Sequence, residues 1–284
     1  MTEQHKPEGP LATAIALMVG GAASNQVGAA FGARAFPALG PAGVVAVRQI
    51  VAAIVLCAAA RPKFWRYSAH QIKPILLLAI VFATMNLSLY MAIEHIGLGL
   101  AVTLEFLGPL GVALAGSHTR HDFFTAIAVG IGVYVLVLPD ANSDWVGIGL
   151  GLTAAACWAS YILTNRVVGT RVPGIEGVAT ATLMSSMLYT PVLVHLGMQG
   201  LLTGKPLMSA VAAGVMASAI PYAFDMLALR RVDSRFFGVF MSAHPVMAAL
   251  AGLVILQQRL SLHEVIGMSV VVIANAITVA KARN

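Results

Sequence analysis

The chain has 284 residues, of which 59% are hydrophobic and only 10% are charged, and its mean hydropathy is +0.86. Soluble domains carry about 25% charged residues, and one of this size could not hide so much apolar surface, so a soluble globular protein is excluded. The net charge of +6 lies mostly in short loops, which is typical of a membrane protein and not of a nucleic-acid-binding one. We predict an all-α integral membrane protein.

Ten apolar segments, each long enough to cross about 30 Å of hydrocarbon, follow one another along the chain. The first begins directly after the polar residues 1–10 and is too long for the core of a signal peptide. Proline, glycine and charged residues separate the segments. The predicted transmembrane spans are residues 11–33, 42–60, 74–93, 97–116, 123–139, 146–165, 177–196, 207–229, 236–256 and 262–280.

Lysine and arginine predict the orientation of these spans. If the N-terminus is cytoplasmic, thirteen of them fall in cytoplasmic segments and three in external loops. Such a bias is the signature of the positive-inside rule. We therefore expect the N-terminus and the C-terminus to be cytoplasmic.

The two halves of the sequence resemble each other. A shift of 136 residues places Pro109 on Pro245 and the tetrapeptide ALAG at 113–116 on the ALAG at 249–252. Each half then holds five predicted helices, and an odd number turns the second copy upside down in the membrane. We predict a 5+5 inverted repeat, residues 1–139 and 140–284, with a substrate site between the halves at mid-membrane and alternating access.

Several segments carry a resemblance to a known family. NLSLYMAIEHIGLGLAVTLEFLGPL at 86–110, AACWASYIL at 155–163, IPYAFDMLAL at 220–229 and FGVFMSAHPVMAALAG at 237–252 resemble the EamA-type transporters of the drug/metabolite transporter superfamily, above all the bacterial exporters of threonine and homoserine. The resemblance implies ten helices in the bacterial cytoplasmic (inner) membrane. It also implies secondary-active export of small neutral amino acids, driven by protons or by exchange.

Two positions depart from the pattern of that family. His244 stands before Pro245, where exporters of this kind tend to carry an acid, and Gln258 replaces a frequent glutamate near the end of the same helix. Both substitutions affect positions at which the family pattern would place a negative charge.

Glu105 lies in the middle of the fourth predicted span, where an ionisable side chain is costly and usually faces protein or water. Ala101, Gly108 and Val112 share its helical face and are small or slim, which favours a cavity wall. We predict that Glu105 binds a substrate ammonium or takes up a coupling proton. The alternative is a structural carboxylate bonded to a neighbouring helix.

His244 lies eight residues into the ninth predicted span, and Glu105 lies eight residues into the fourth, counted from the opposite surface. The inverted repeat would bring the two side chains to similar depth. Histidine changes charge between pH 5 and 8, so we predict that His244 binds substrate and takes part in proton coupling. A buried structural histidine is the alternative.

Two further charged residues are predicted to act in gating. Arg48 lies about six residues into the second span and could attract a substrate carboxylate, pair with a loop acid or extend to the membrane surface. Asp225 lies near the inner end of the eighth span, close to Arg230 and Arg231. It could gate the cytoplasmic side by pairing with them, or remain a solvated interfacial acid.

Polar and aromatic residues in three spans complete the predicted substrate site. Trp158 is too deep for the aromatic belt at the membrane surface, and uncharged polar groups at this depth can hydrogen-bond a ligand. Glycines on the face of Asn25 are expected to serve close helix packing. The predicted wall residues are Asn25, Asn86, Tyr90, Trp158 and Tyr161.

Three functions remain open on these observations. Export of small zwitterionic amino acids fits one mid-membrane acid with a polar donor nearby. Efflux of cationic or hydrophobic compounds would favour several buried acids and an aromatic lining, whereas aromatic residues make up only 7% of this chain. A structural membrane protein without transport activity would have no central cavity.

The sequence does not predict an enzyme, a cofactor or a metal site, because it has no metal cluster, phosphate-binding glycine loop or nucleophile elbow. Cys57 and Cys157 lie in apolar stretches, and we expect neither a disulfide nor a metal site from them. The expected partners are an amino acid, membrane lipid and a proton as the candidate coupling ion. A homodimer is left open, and nucleic acid is not expected.

Overall fold

The computed structural model describes residues 11–115, 120–137, 143–172, 175–221, 224 and 244–281, and within these ranges the regular structure is helical. Besides a short 3₁₀ turn, Phe64–Arg66, and a π turn, Val215–Ala219, it consists of α-helices. These are α1 Leu11–Arg34, α2 Phe36–Ala60, α3 Ala69–Glu105, α4 Leu107–Ala115, α5 Arg120–Val137, α6 Trp145–Arg171, α7 Glu176–Leu188, α8 Thr190–Met198, α9 Gly204–Gly214, α10 His244–Ile255 and α11 Leu262–Lys281.

Several of these helices are suited to cross a membrane. Within the described ranges four stretches are individually long and apolar enough, and the bent pair α7–α8 would be a fifth. The four are Ala12–Arg34, Phe36–Ala60, Ala69–Val112 and Trp145–Arg171. The chain is therefore a multi-pass membrane protein, whereas ten spans, the 5+5 repeat and the cytoplasmic termini stay predictions.

Glycine and proline set the breaks between and within the helices. The backbone leaves helical geometry at Gly40 (φ 64°) inside α2 and at Gly97 (φ 81°) inside α3, conformations that glycine adopts without a steric penalty. Gly97 lies at the predicted start of the fourth span. The seventh span, predicted as one segment, is bent by 46° between α7 and α8. Pro191 follows this bend and cannot donate the hydrogen bond that would continue the helix.

At each end of the helix bundle, side chains hydrogen-bond residues of different helices or of the loops between them. At one end, which we call the basic end because it carries Arg61, Lys63 and Arg66, the Tyr67 hydroxyl donates to Glu176 over 3.1 Å. At the opposite end, Gln258 Oε1 accepts from the backbone N–H of Leu98 over 3.0 Å. At the same end Nδ1 of His95 lies 2.8 Å from a carboxylate oxygen of Asp144, a hydrogen-bonding distance.

Asp144 also caps the N-terminus of α6. Its carboxylate accepts from the Gly147 N–H over 2.8 Å, and this bond together with the His95 ring holds the pKa of the carboxyl below its usual value. A negative charge at this position also favours the helix dipole. Asp144 thereby ties the start of α6 to the part of α3 that lies just before the break at Gly97.

Small residues allow several helices to approach closely. A Cβ built on Gly108 of α4 would lie 2.2 Å from the carbonyl oxygen of Ala155 in α6. One built on Gly267 of α11 would lie 2.4 Å from the backbone nitrogen of Leu136 in α5. Close approach through glycine and alanine is the usual way in which membrane helices gain packing energy.

Candidate substrate cavity

A cavity of about 310 Å³ lies between α1, α2, α3, α6, the segment after α9 and the start of α10. The structure brings every predicted site residue that it describes to the wall of this one cavity. Asp225, the predicted gating acid, lies outside the described residues. The predicted residues on the wall are Asn25, Arg48, Asn86, Tyr90, Glu105, Trp158, Tyr161 and His244.

Glu105 stands where α3 ends. Pro109 cannot donate to the Glu105 carbonyl four residues earlier, and the helix is interrupted at Phe106 before α4 begins. The Glu105 side chain is 6% exposed. Among the residues that the structure describes, its carboxylate makes no hydrogen bond or ion pair. The alternative role of Glu105, a structural carboxylate hydrogen-bonded to a neighbouring helix, therefore finds no support among the described residues.

The small residues that share a face with Glu105 have a different role from the one predicted. Ala101, Gly108 and Val112 do not line the cavity. Gly108 instead packs against the backbone of Ala155, because a missing Cβ permits two helices to touch there. The carboxylate reaches the cavity while its neighbours form a helix contact.

Arg48 lies on α2 and is half-buried. Its Nη2 donates to the carbonyl oxygen of Ala217 over 3.2 Å, and its guanidinium lies 5.1 Å from the centroid of the Tyr90 ring. The Ala217 carbonyl is available because Pro221, four residues later, has no N–H to donate to it. Arg48 and Glu105 thus border the same cavity, and within the described ranges no ion pair joins them.

The segment after α9 winds as one π turn, Val215–Ala219, a geometry that is frequent at functional sites. The Ser24 hydroxyl of α1 donates to the carbonyl oxygen of Met216 over 2.8 Å. Gly28, one turn along α1, permits this approach, since a Cβ there would lie 2.7 Å from the backbone nitrogen of Ala217. The turn is therefore held by side chains of two other helices.

His244 is the first described residue of α10 and is 5% exposed. Its Nδ1 lies 3.4 Å from Nε2 of Gln26, and with the Gln26 amide as donor the imidazole carries its proton on Nε2. Within the described part of the chain His244 Nε2 has no hydrogen-bond partner. The ring also lies 5.6 Å from the Phe106 ring, centroid to centroid.

Aromatic rings form the remaining walls. Trp158 meets Phe106 edge to face at 4.7 Å between centroids, and Phe82 lies 5.4 Å from Tyr161. Asn86 donates to the carbonyl oxygen of Phe82 over 2.8 Å, which leaves its own carbonyl oxygen for other partners.

Sequence reasoning missed several wall residues. Gln49 lines the cavity and donates to Ser185 over 2.9 Å, and its position beside Arg48 in an apolar span was a usable signal. Ser218 was also missed. Phe82 and Phe106 had no such signal, because a phenylalanine in an apolar span gives no indication of which way it faces.

Known proteins resemble this chain in sequence and in fold. The sequence profile of the EamA-like transporter family matches residues 145–280. Threonine/homoserine exporter RhtA of Salmonella typhimurium (strain SL1344) is 32% identical over 89% of this chain and 86% of that protein. The exporter of the same name from Escherichia coli (strain K12) is 31% identical over 94% and 91%. One crystal structure, 20% identical, has a TM-score of 0.61 and matches 94% of this chain and 96% of its own, which concerns the fold alone.

Proposed function

Because the chain belongs to the EamA-like transporter family, we propose that it exports small neutral amino acids, such as threonine and homoserine, across the bacterial cytoplasmic membrane. Family membership makes it a small-molecule exporter and not an enzyme. Beyond family membership, we propose the class of substrate, the energy source and the membrane in which the protein acts. The main support for the proposal is a cavity whose described wall carries the buried carboxylate of Glu105 and the guanidinium of Arg48, which form no ion pair with each other.

The two charges suit a zwitterion. Glu105 would accept hydrogen bonds from the substrate ammonium, and Arg48 would donate to its carboxylate, in a setting of low dielectric where such bonds are stronger than in water. The cavity volume of about 310 Å³ lies at the lower end of the range of small-molecule sites, which favours a small substrate. A cationic substrate would meet the positive charge of Arg48 as well as the negative charge of Glu105.

Glu105 and His244 are also the proposed proton-coupling residues. Both are buried, both line the cavity, and both can exchange a proton with a bound substrate or water. In this scheme protonation of the pair alternates with occupation by the substrate ammonium. Exchange of one amino acid for another would then need no net proton transfer.

Alternating access would open one end of the bundle at a time. The contacts at the two ends differ: Tyr67 with Glu176 at the basic end, and Gln258 with Leu98 at the other. We place the basic end in the cytoplasm because lysine and arginine are enriched there. Export then loads substrate from the basic end and releases it past the contact between Gln258 and Leu98.

Counterflow in proteoliposomes tests the substrate. Vesicles loaded with unlabelled threonine or homoserine should accumulate the labelled amino acid, whereas labelled tetraphenylphosphonium, an organic cation, should not exchange. If the cation exchanges and no amino acid does, the chain is an efflux protein for cations. If neither the amino acids nor the cation exchanges although the protein is folded, the proposal that the chain transports either class of compound is wrong.

Two variants with matched controls test the site. Glu105→Gln should lower amino-acid counterflow by roughly tenfold or more, the worth of one charge-assisted hydrogen bond, while Glu94→Gln on the exposed surface of the same helix should not. His244→Ala should lower the rate of transport driven by a pH gradient more than it lowers the rate of amino-acid exchange. His195 is exposed, and His195→Ala should leave both rates unchanged. Normal transport by Glu105→Gln would remove its proposed role.

A further inference from the structure

A second and separate cavity lies on the surface between α2 and α7. It has a volume of about 580 Å³, and the described residues that line it are all different from those that line the central cavity. Ile54 and Met187 line it and are 64% and 61% exposed, so it opens toward the surroundings of the bundle. We call it the α2–α7 groove. None of its described lining residues is acidic.

The groove has the length of one membrane leaflet. Ile50 lines one end and Arg61 the other, and the two residues are eleven positions apart along α2 and its C-cap. At 1.5 Å per residue this is about 16 Å, and half of a hydrocarbon core is about 15 Å. An apolar furrow of that length matches an acyl chain that runs from the membrane surface to the bilayer centre.

One end of the groove is positively charged and aromatic. Arg61 lines it at the end of α2, and Lys63 and Arg66 follow within five residues. Trp65 also lines this end and is 70% exposed, as expected for a tryptophan at headgroup level. A guanidinium at this height can bind a phosphate through two parallel hydrogen bonds.

We propose that the α2–α7 groove binds one anionic phospholipid, with an acyl chain along the groove and the headgroup phosphate at Arg61. A net negative headgroup complements Arg61, Lys63 and Arg66, which outnumber the nearby acid Glu176. The basic end is also the one that we place in the cytoplasm. A second copy of this chain is a poorer occupant. A two-fold dimer through this face would bring the two basic clusters together, where like charges repel.

Fluorescence quenching of Trp65 by brominated lipid measures this binding. The protein is reconstituted in phosphatidylcholine vesicles that contain either brominated phosphatidylglycerol or brominated phosphatidylcholine at equal mole fraction. The Trp65 signal is the difference between the wild-type protein and Trp65→Phe. We expect the apparent binding constant to be about fivefold higher for phosphatidylglycerol, and 0.5 M salt should reduce this preference because exposed charges are screened.

The charge on Arg61 is tested by three variants. Arg61 has a positive φ of 47°, a conformation that asparagine tolerates better than most residues, so Arg61→Asn should fold and bring the lipid ratio close to one. Arg61→Lys should keep most of the preference. Lys205→Asn, exposed at the start of α9, should keep all of it.

Three results would overturn the site. The first is equal quenching of the wild-type protein by the two lipids. The second is a preference for phosphatidylglycerol that persists in Arg61→Asn or in 0.5 M salt. The third is no quenching by either lipid, which is expected if a second copy of the chain covers the groove. None of these outcomes depends on which substrate the transporter carries.

Discussion

The contact between α4 and α6 gives a sharp prediction for the substitution of one glycine. A Cβ on Gly108 would lie 2.2 Å from the Ala155 carbonyl oxygen, whereas carbon–oxygen contacts are about 3.3–3.6 Å. The two helices must therefore separate by about 1 Å in Gly108→Ala. Overpacking of this kind costs about 1–3 kcal/mol, and a gap of 0.5–1 Å forfeits a quarter to a half of the dispersion energy between the facing atoms.

Gly111→Ala is the matched control, three residues along the same helix. A Cβ there has no atom of the described residues within 4 Å, and replacing a helical glycine by alanine should stabilise the protein by about 0.5–1 kcal/mol. Both glycines lie in α4, so the gain in helix propensity is common to the two variants. The free energy of unfolding should then differ between them by about 1–3 kcal/mol, the cost of overpacking alone. Thermal unfolding in detergent should give Gly108→Ala the lower Tm.

Transport should follow the same order. Phe106 and Trp158, whose rings are 4.7 Å apart, lie within three residues of the contact on either side, so separation of α4 from α6 moves the cavity wall. Counterflow should fall in Gly108→Ala and remain at the wild-type rate in Gly111→Ala. Gly108→Ala with normal Tm and normal counterflow would refute the close approach of the two helices.

Three further predictions concern polar groups. Arg48→Gln should raise the KM for amino-acid counterflow about tenfold or more, since one charge-assisted hydrogen bond is lost; an unchanged KM would contradict substrate contact by Arg48. Asp144→Ala should lower Tm at pH 7, and Asp144→Asn should lower it less because the amide oxygen still accepts from the backbone. Because the pKa of Asp144 is depressed in the folded protein, its carboxylate contributes stability that is present above about pH 4 and is lost as the pH falls through the folded pKa. The Tm difference between the wild-type protein and Asp144→Ala should therefore shrink in acid. A Tm difference that does not change with pH would contradict this role of the carboxylate. Gln258→Glu should raise stability by about 0.3–1 kcal/mol at neutral pH, because a carboxylate would then accept from the Leu98 N–H at the start of a helical segment; a lower Tm would oppose this.

The wall of the cavity could be predicted well because the membrane restricts polar side chains. Glu105, Arg48 and His244 are costly in hydrocarbon, so each must face protein or a wet interior. The structure places them at one cavity together with Asn25 and Asn86. Their roles in binding and coupling stay predictions, since position does not decide chemistry.

Other features had no signature in the sequence. The acceptors of Ser24 and Arg48 are main-chain carbonyls, which every residue carries. The bend after Tyr189 could have been read from Pro191, but a proline within an apolar segment either kinks a helix or ends it. The small face beside Glu105 is compatible with a cavity wall and with a tight helix contact, because small residues accompany both.

The hydrogen bond between Arg48 and the Ala217 carbonyl has a consequence for sequence comparison. The accepting oxygen belongs to the peptide group, so the identity of residue 217 does not determine whether it exists. Its availability depends instead on position 221, where any residue other than proline would supply an N–H that competes for the same oxygen. Among homologous chains, arginine at 48 should therefore covary with proline at 221 and not with the residue at 217.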